Sequence, residues 1–211
     1  MRTITNRIER YVFHERIVHA LTALSYVYLL LTGLAFWTPA LYWIAIVLGG
    51  GFLSRMVHPW VGVVFALAVA RMFVMWHGDM RTTTEDRAWR KQIVHYIRNE
   101  DDQVPPAGRF NFGQKQLFWV MAWAALVLLL SGLMLWFPHL IPPPRGALRQ
   151  TAILVHSIAA LVTIGAFIVH LYMGIAVVPG GLRAIVNGDV SEEWARHHHR
   201  SWTGTLRGRR P

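Results

Sequence analysis

Two histidines, His156 and His170, lie inside a stretch of 28 residues, 151–178, that holds no Asp, Glu, Lys or Arg. A run of that length exceeds the ~20 residues an α-helix needs to cross a bilayer. The rings are fourteen positions apart. At ~100° per residue that is about 40° short of four turns, so both leave one helix face, with Cα atoms roughly 21 Å apart along the axis. An ionisable side chain in hydrocarbon is costly without a partner. Two imidazoles on one face at two depths therefore read as two stacked ligand sites. Axial ligation of haem iron suits them, because the iron takes one imidazole below and accepts a second above.

The partners come from two other apolar runs. Hydropathy marks four spans, at about 18–37, 52–76, 117–137 and 151–178, with His19 entering the first and His58 about six residues into the second. Alternation of the spans puts His58 at the depth of His156, and His19 at the depth of His170. Each pair joins two helices, as a haem held inside a bundle requires. The expectation is two b-type haems with axial pairs His58/His156 and His19/His170. His14, His77, His95 and His139 have no partner at matched depth and are read as surface residues. Gly33, Gly62, Gly132 and Gly165 would admit a flat macrocycle or bring helices close. Arg71 in the second span would meet a haem propionate or snorkel to the interface.

Composition agrees with a small polytopic membrane protein. Of 211 residues, 54% are hydrophobic and 15% charged, and the mean hydropathy is +0.34. The polar start MRTITNRIERYVFHER is no cleavable signal, so the first apolar run should stay as an anchor. Cysteine is absent, which excludes disulfides and any iron–sulfur cluster held by this chain's own thiolates. The net charge of +10 sits beside the spans, so lipid and topology explain it and no nucleic-acid partner is expected. Seventeen Lys and Arg fall before span one, between spans two and three, and after span four, against three (Arg55, Arg145, Arg149) in the opposite loops. That bias places both termini in the cytoplasm.

Between the spans, 41–48 is too short to cross and should lie at the interface. The cytoplasmic segment 85–100 carries Trp89, Ile93, Tyr96 and Ile97 at helical spacing, the pattern of an amphipathic surface helix. Gly180-Gly181 ends span four and opens a tail, 179–211, containing His197, His198 and His199. Just before span three, GRFNFGQK stands at the depth of the His19/His170 site. Asn111 and Gln114 could hydrogen-bond a quinone headgroup for which Gly113 leaves room; equally, Asn111 could simply cap the third helix.

GRFNFGQK, ERIVHALTA, RMVHPWVGVV, LVHSIAA, IVHLYMG and the tail's EEWARHHHRSW together resemble the cytochrome b gamma subunit of respiratory formate dehydrogenase. The resemblance covers nearly the whole chain, although Ala20 stands where members often have tryptophan. It implies that His19, His58, His156 and His170 ligate two b haems, and that Asn111, Gly113 and Gln114 border a menaquinone pocket. It also implies an iron–sulfur subunit and a molybdenum or tungsten catalytic subunit as partners. Related subunits serve nickel–iron hydrogenases.

The expected architecture is an all-α membrane protein, a four-transmembrane-helix diheme cytochrome b bundle in the bacterial inner membrane, one domain over 1–211. It would carry electrons from an outer-face dehydrogenase to menaquinone or ubiquinone at the inner face, within a complex that could form a higher oligomer. A stand-alone carrier of the b561 type is the main rival. A histidine-lined metal transporter would want carboxylates inside the spans, and these are missing.

Overall fold

The computed structural model describes residues 7–98, 100 and 103–207, with side chains at all of these except 96 and 205–207. Arg2, Arg209, Arg210 and the side chains of Tyr96 and Arg207, used above, lie outside the described residues. Four long helices follow the four apolar runs: α1 (Phe13–Trp37), α3 (Gly51–Trp76), α6 (Phe112–Trp136) and α7 (Arg145–Leu171), the last continuing as a π-helical turn over Tyr172–Val177. Between the first two lies the five-residue helix α2 (Trp43–Val47), the short piece expected at 41–48. Each long helix has 25 to 27 residues. At 1.5 Å per residue that is roughly 38–40 Å, more than the ~30 Å hydrocarbon core.

All four begin earlier than hydropathy indicated, three of them by five or six residues. Apolarity marks where lipid begins, whereas the hydrogen-bond ladder begins at a cap. Helix α1 starts where the Val12 N–H donates to the Glu15 carboxylate at 3.0 Å, and α6 starts at Asn111. Helix α7 starts after Pro142, Pro143 and Pro144, where a missing N–H does no harm. Helix α3 starts after Gly49 and Gly50, whose φ values of 97° and 101° suit only glycine. Gly51 then lets the Tyr42 hydroxyl approach so closely that a Cβ would clash with it.

Two compact units divide the chain. One comprises 17–74 and 120–166. Its interior is filled by small and hydroxylated side chains, among them Ala35, Ala68, Ala124, Ala125, Ala159, Thr32, Ser54, Ser131 and Thr163. Leu24, Phe52, Leu67, Trp123 and Ile158 point outward and are exposed. Small residues inside and large apolar ones outside are what helix packing in lipid requires. The chain is an integral membrane protein by this pattern and by its four apolar spans.

The other unit comprises 1–16, 75–119 and 167–211. It contains β1 (Arg7–Glu9), α4 (Thr84–Lys91), α5 (Ile93–Ile97), α8 (Gly181–Asn187), β2 (Asp189–Ser191), α9 (Glu192–His198) and α10 (Arg200–Arg207). Strands β1 and β2 pair antiparallel, with Ile8 opposite Val190. The amphipathic segment is two helices rather than one, broken at Gln92. Trp89 is buried and packs on Phe112, while Ile93, Val94 and Ile97 are exposed. Tyr11, Trp76 and Phe110 form an aromatic cluster with ring centroids 5.5 to 6.2 Å apart.

Candidate functional site

His58 and His156 come together in the first unit. His58 lies on α3 immediately before Pro59, which removes the N–H that would have served the Arg55 carbonyl. The His58 Nδ1 is 2.6 Å from the Thr32 hydroxyl on α1, and the Phe36 ring meets the imidazole edge-on at 5.5 Å. The His156 Nδ1 is 2.9 Å from the Ser131 hydroxyl on α6. His58 also lies within electrostatic range of His156. Both rings are half-buried.

The glycines near this pair leave room for a flat group. A Cβ at Gly33 or Gly62 would meet no atom within 4 Å, although both are half-buried; Gly165 is exposed and nine positions from His156. Glycines that serve close helix packing are crowded by the facing helix; these are not. Gly62 is one turn along α3 from His58, and Gly33 follows Thr32. Gly132 differs, since a Cβ there would stand 3.4 Å from the His156 Cε1. Two imidazoles with hydroxyls on Nδ1 and open space beside glycine fit a haem. Arg71 is exposed, as snorkelling requires.

His19 is half-buried on α1 in the first unit. His170 is half-buried in the second, next to last in α7 and just ahead of the π-helical turn. That turn closes with the Val178 N–H on the Met173 carbonyl at 3.0 Å, a wider spacing than the α-helix that often marks functional positions. Of the histidines read as surface residues, His14, His77 and His139 are exposed, and His95 pairs with Glu100 at 2.6 Å.

At GRFNFGQK the side chains form a reciprocal cap. The Gln114 N–H donates to Asn111 Oδ1 at 2.9 Å, and the Asn111 N–H donates to Gln114 Oε1 at 3.0 Å. The capping role is therefore present. It engages the oxygens of both side-chain amides as acceptors. A Cβ at Gly113 would lie 3.5 Å from Asn111 Oδ1 and 3.9 Å from Trp89, so those two side chains border the glycine. One turn on, Lys115 Nζ meets Asp86 at 2.6 Å in a pair whose side chains are each only 8% exposed.

Sequence reasoning missed His199. It is fully buried, donating from Nδ1 to the Gly108 carbonyl at 2.7 Å and accepting at Nε2 from Arg10 at 2.9 Å. Arg10 stacks on Tyr11, Trp194 and Trp202 at 5.0 to 5.4 Å. Arg109 holds Glu15 at 2.7 Å and Asp79 at 3.1 Å, and the Trp76 indole donates to Glu15 at 2.6 Å. Nothing in a run of three histidines says which one is buried. The pattern Thr83-x-x-Asp86, by contrast, was a readable capping box.

Burial, with the Arg10 charge, holds His199 well below its usual 6.5. Protonation favours release of a base so depressed, and its contribution is complete above about pH 6.5 and lost as pH falls. Acidification to pH 5.5 is expected to loosen the docked tail, with a slope of up to ~1.4 kcal/mol per pH unit. Protease cleavage within 192–204 should rise, and His199→Gln should flatten that pH dependence.

Four apolar spans and a hydroxyl-braced imidazole pair are the features of a helical membrane haem protein. The chain belongs to the prokaryotic cytochrome b561 family, whose model matches residues 10–188. Membership carries with it b-type haem binding. The chain is 36% identical over 201 residues to the formate dehydrogenase cytochrome b556(fdo) subunit of Escherichia coli K12, covering 95% of this chain and 93% of that protein. It is 29% identical over 195 residues to the nitrate-inducible formate dehydrogenase cytochrome b556(Fdn) subunit of the same strain, covering 92% and 89%. It is 31% identical over 199 residues to the formate dehydrogenase cytochrome b556 subunit of Haemophilus influenzae, covering 93% and 82%.

Proposed function

We propose that this chain is the membrane diheme cytochrome b subunit of a formate dehydrogenase complex in the bacterial inner membrane. Electrons leave an outer-face iron–sulfur subunit, pass the His58/His156 haem and then the His19/His170 haem, and reduce menaquinone or ubiquinone on the cytoplasmic side. A molybdenum or tungsten subunit oxidises the formate. The observation that carries the haem assignment is the pair His58 and His156, braced at Nδ1 from neighbouring helices. The inner pair rests on matched depth, and the donor rests on similarity to formate dehydrogenase cytochrome b subunits.

The energetics constrain the donor. Moving two electrons inward against a potential negative inside costs roughly 7 kcal/mol per quinol at ~150 mV, or about 2.3 kcal/mol per charge per 100 mV. Only a strong reductant supplies that, and formate and hydrogen both qualify. The test is purification in gentle detergent, mass spectrometry of the partners, and reduced spectra with formate, hydrogen or dithionite. A copurifying iron–sulfur protein and a formate-reducible b haem support the proposal. Haem reduced by hydrogen but not formate would assign the chain to a hydrogenase, and haem without any partner would favour a stand-alone b561-type carrier.

Orientation is tested with introduced cysteines. Thr83→Cys should resist an impermeant thiol reagent added to whole cells, and Gly146→Cys should react. The opposite pattern would invert the protein and the direction of charge movement.

For quinone, Asn111→Asp separates the two roles. The carboxylate keeps the cap, since Asp is a good N-cap residue, but loses the NH₂ donors. A lost hydrogen bond to a buried ligand costs about 1–3 kcal/mol, so quinone affinity should weaken roughly 5- to 150-fold at unchanged haem content. Wild-type kinetics at subsaturating quinone would leave Asn111 as a cap alone.

A further inference from the structure

We infer that Thr32 and Ser131 are positioning residues that fix the tautomer of His58 and His156 and so present both Nε2 atoms as ligands. The inference rests on the reading of these histidines as haem ligands. Its ground is a count of hydrogen atoms. The Thr32 hydroxyl oxygen is 2.8 Å from the Tyr28 carbonyl and 3.2 Å from that of Leu29. The Ser131 hydroxyl oxygen is 2.6 Å from the Val127 carbonyl and 3.4 Å from that of Leu128. A hydroxyl has one hydrogen, and a carbonyl can only accept. Two oxygens that close, with no hydrogen between them, repel. Each hydroxyl hydrogen therefore goes back one turn along its own helix.

What remains at each hydroxyl is a lone pair, and it faces Nδ1 of a histidine. A bond there forms only if Nδ1 carries the hydrogen. A neutral imidazole has one N–H, so Nε2 is left with its lone pair bare, the form in which it binds iron. Back-bonding of Ser and Thr to their own helix is common. That habit explains the carbonyl contacts but not why each hydroxyl also meets a histidine Nδ1.

The arrangement is built twice from different parts. Helix α1 supplies the hydroxyl for the histidine of α3, and α6 supplies it for the histidine of α7. Thr32 is 0% exposed and Ser131 4%, so water does not compete for either bond. On the His156 side, Gly132 beside Ser131 seats the ring edge against backbone, and a larger residue would push it away. An N–H donated to a hydroxyl also makes the imidazole a slightly stronger electron donor. That favours the ferric over the ferrous state.

The experiment uses the complete complex with Thr32→Val and Ser131→Ala, and with Thr32→Ser and Ser131→Thr as conservative controls. Readouts are haem content, redox titration of the optical bands, and the low-spin ferric resonance, which senses the orientation and basicity of axial imidazoles. Losing the acceptor is expected to weaken haem binding about 10- to 100-fold. It should also raise the midpoint potential of one haem component, by about 59 mV for each tenfold lost from the ferric state alone. The conservative controls should restore the wild-type values. The other component should keep its potential, which reports a folded chain.

His58→Ala separates the two layers of the argument. Retention of both haem components in His58→Ala would overturn the ligand assignment and this inference with it. Loss of one component in His58→Ala, with wild-type potential and resonance in Thr32→Val and Ser131→Ala, would overturn the hydroxyl role alone. Loss of both components in Thr32→Val and Ser131→Ala would make the hydroxyls determinants of folding, and would equally overturn it.

Discussion

Replacing His58 or His156 with alanine is expected to strip one haem from the chain and leave the other, so that dithionite-reduced b absorbance falls by about half. The kinetic consequences should be unequal. In His58→Ala the remaining haem should be reduced slowly or not at all by formate, while added quinol still reaches it. In His170→Ala the remaining haem should be reduced by formate at its normal rate, with quinone reduction lost. A bound cofactor stabilises the fold that binds it, so each variant must first show one haem by spectrum. Fast formate reduction in His58→Ala, with its loss in His170→Ala, would reverse the order of the two haems and overturn the inward path.

The second large effect concerns a pair far from either expected haem ligand set in sequence. Asp86→Asn should keep the capping box at Thr83, because an amide oxygen still accepts there, but it leaves Lys115 charged and buried without its counter-charge. Breaking a buried pair from one side costs about 3–5 kcal/mol. Hydrogen exchange over 84–97 should therefore accelerate strongly, by roughly two to four orders of magnitude. Adding Lys115→Met should recover most of the loss, since a buried ion pair replaced by apolar groups is often neutral or better. A double variant as damaged as the single would mean that Asp86 acts through something other than Lys115.

The sequence made the spans legible, and with them the histidines they contain, for the same reason. Charge-free runs leave a histidine conspicuous, and alternation of helices then gives its depth. What it hid was of another kind. The polar first turns of α1 and α6 carry no hydropathy signal, although Glu15 and Asn111 stand there as caps. Thr32 and Ser131 look like ordinary fillers of an apolar run, because their value depends on a ring from another helix. The break at Gln92 and the burial of His199 are set by contacts between distant segments, which no periodicity records. Asn111 and Gln114 were readable as cap or quinone ligand, and the observed cap engages the oxygen of each amide.

Strand β1 has a consequence for how the chain is made. Arg7 is bonded to Asp189, 182 positions later. At about 5–20 residues per second a ribosome needs roughly 10–40 s to cover that distance. All four spans are synthesised before the partner of the first strand exists, and His199 follows later still. The unit that contains both strands is therefore the last to close. Any subunit or maturation factor that recognised the closed strand pair and docked tail would engage only chains in which all four spans had already been made.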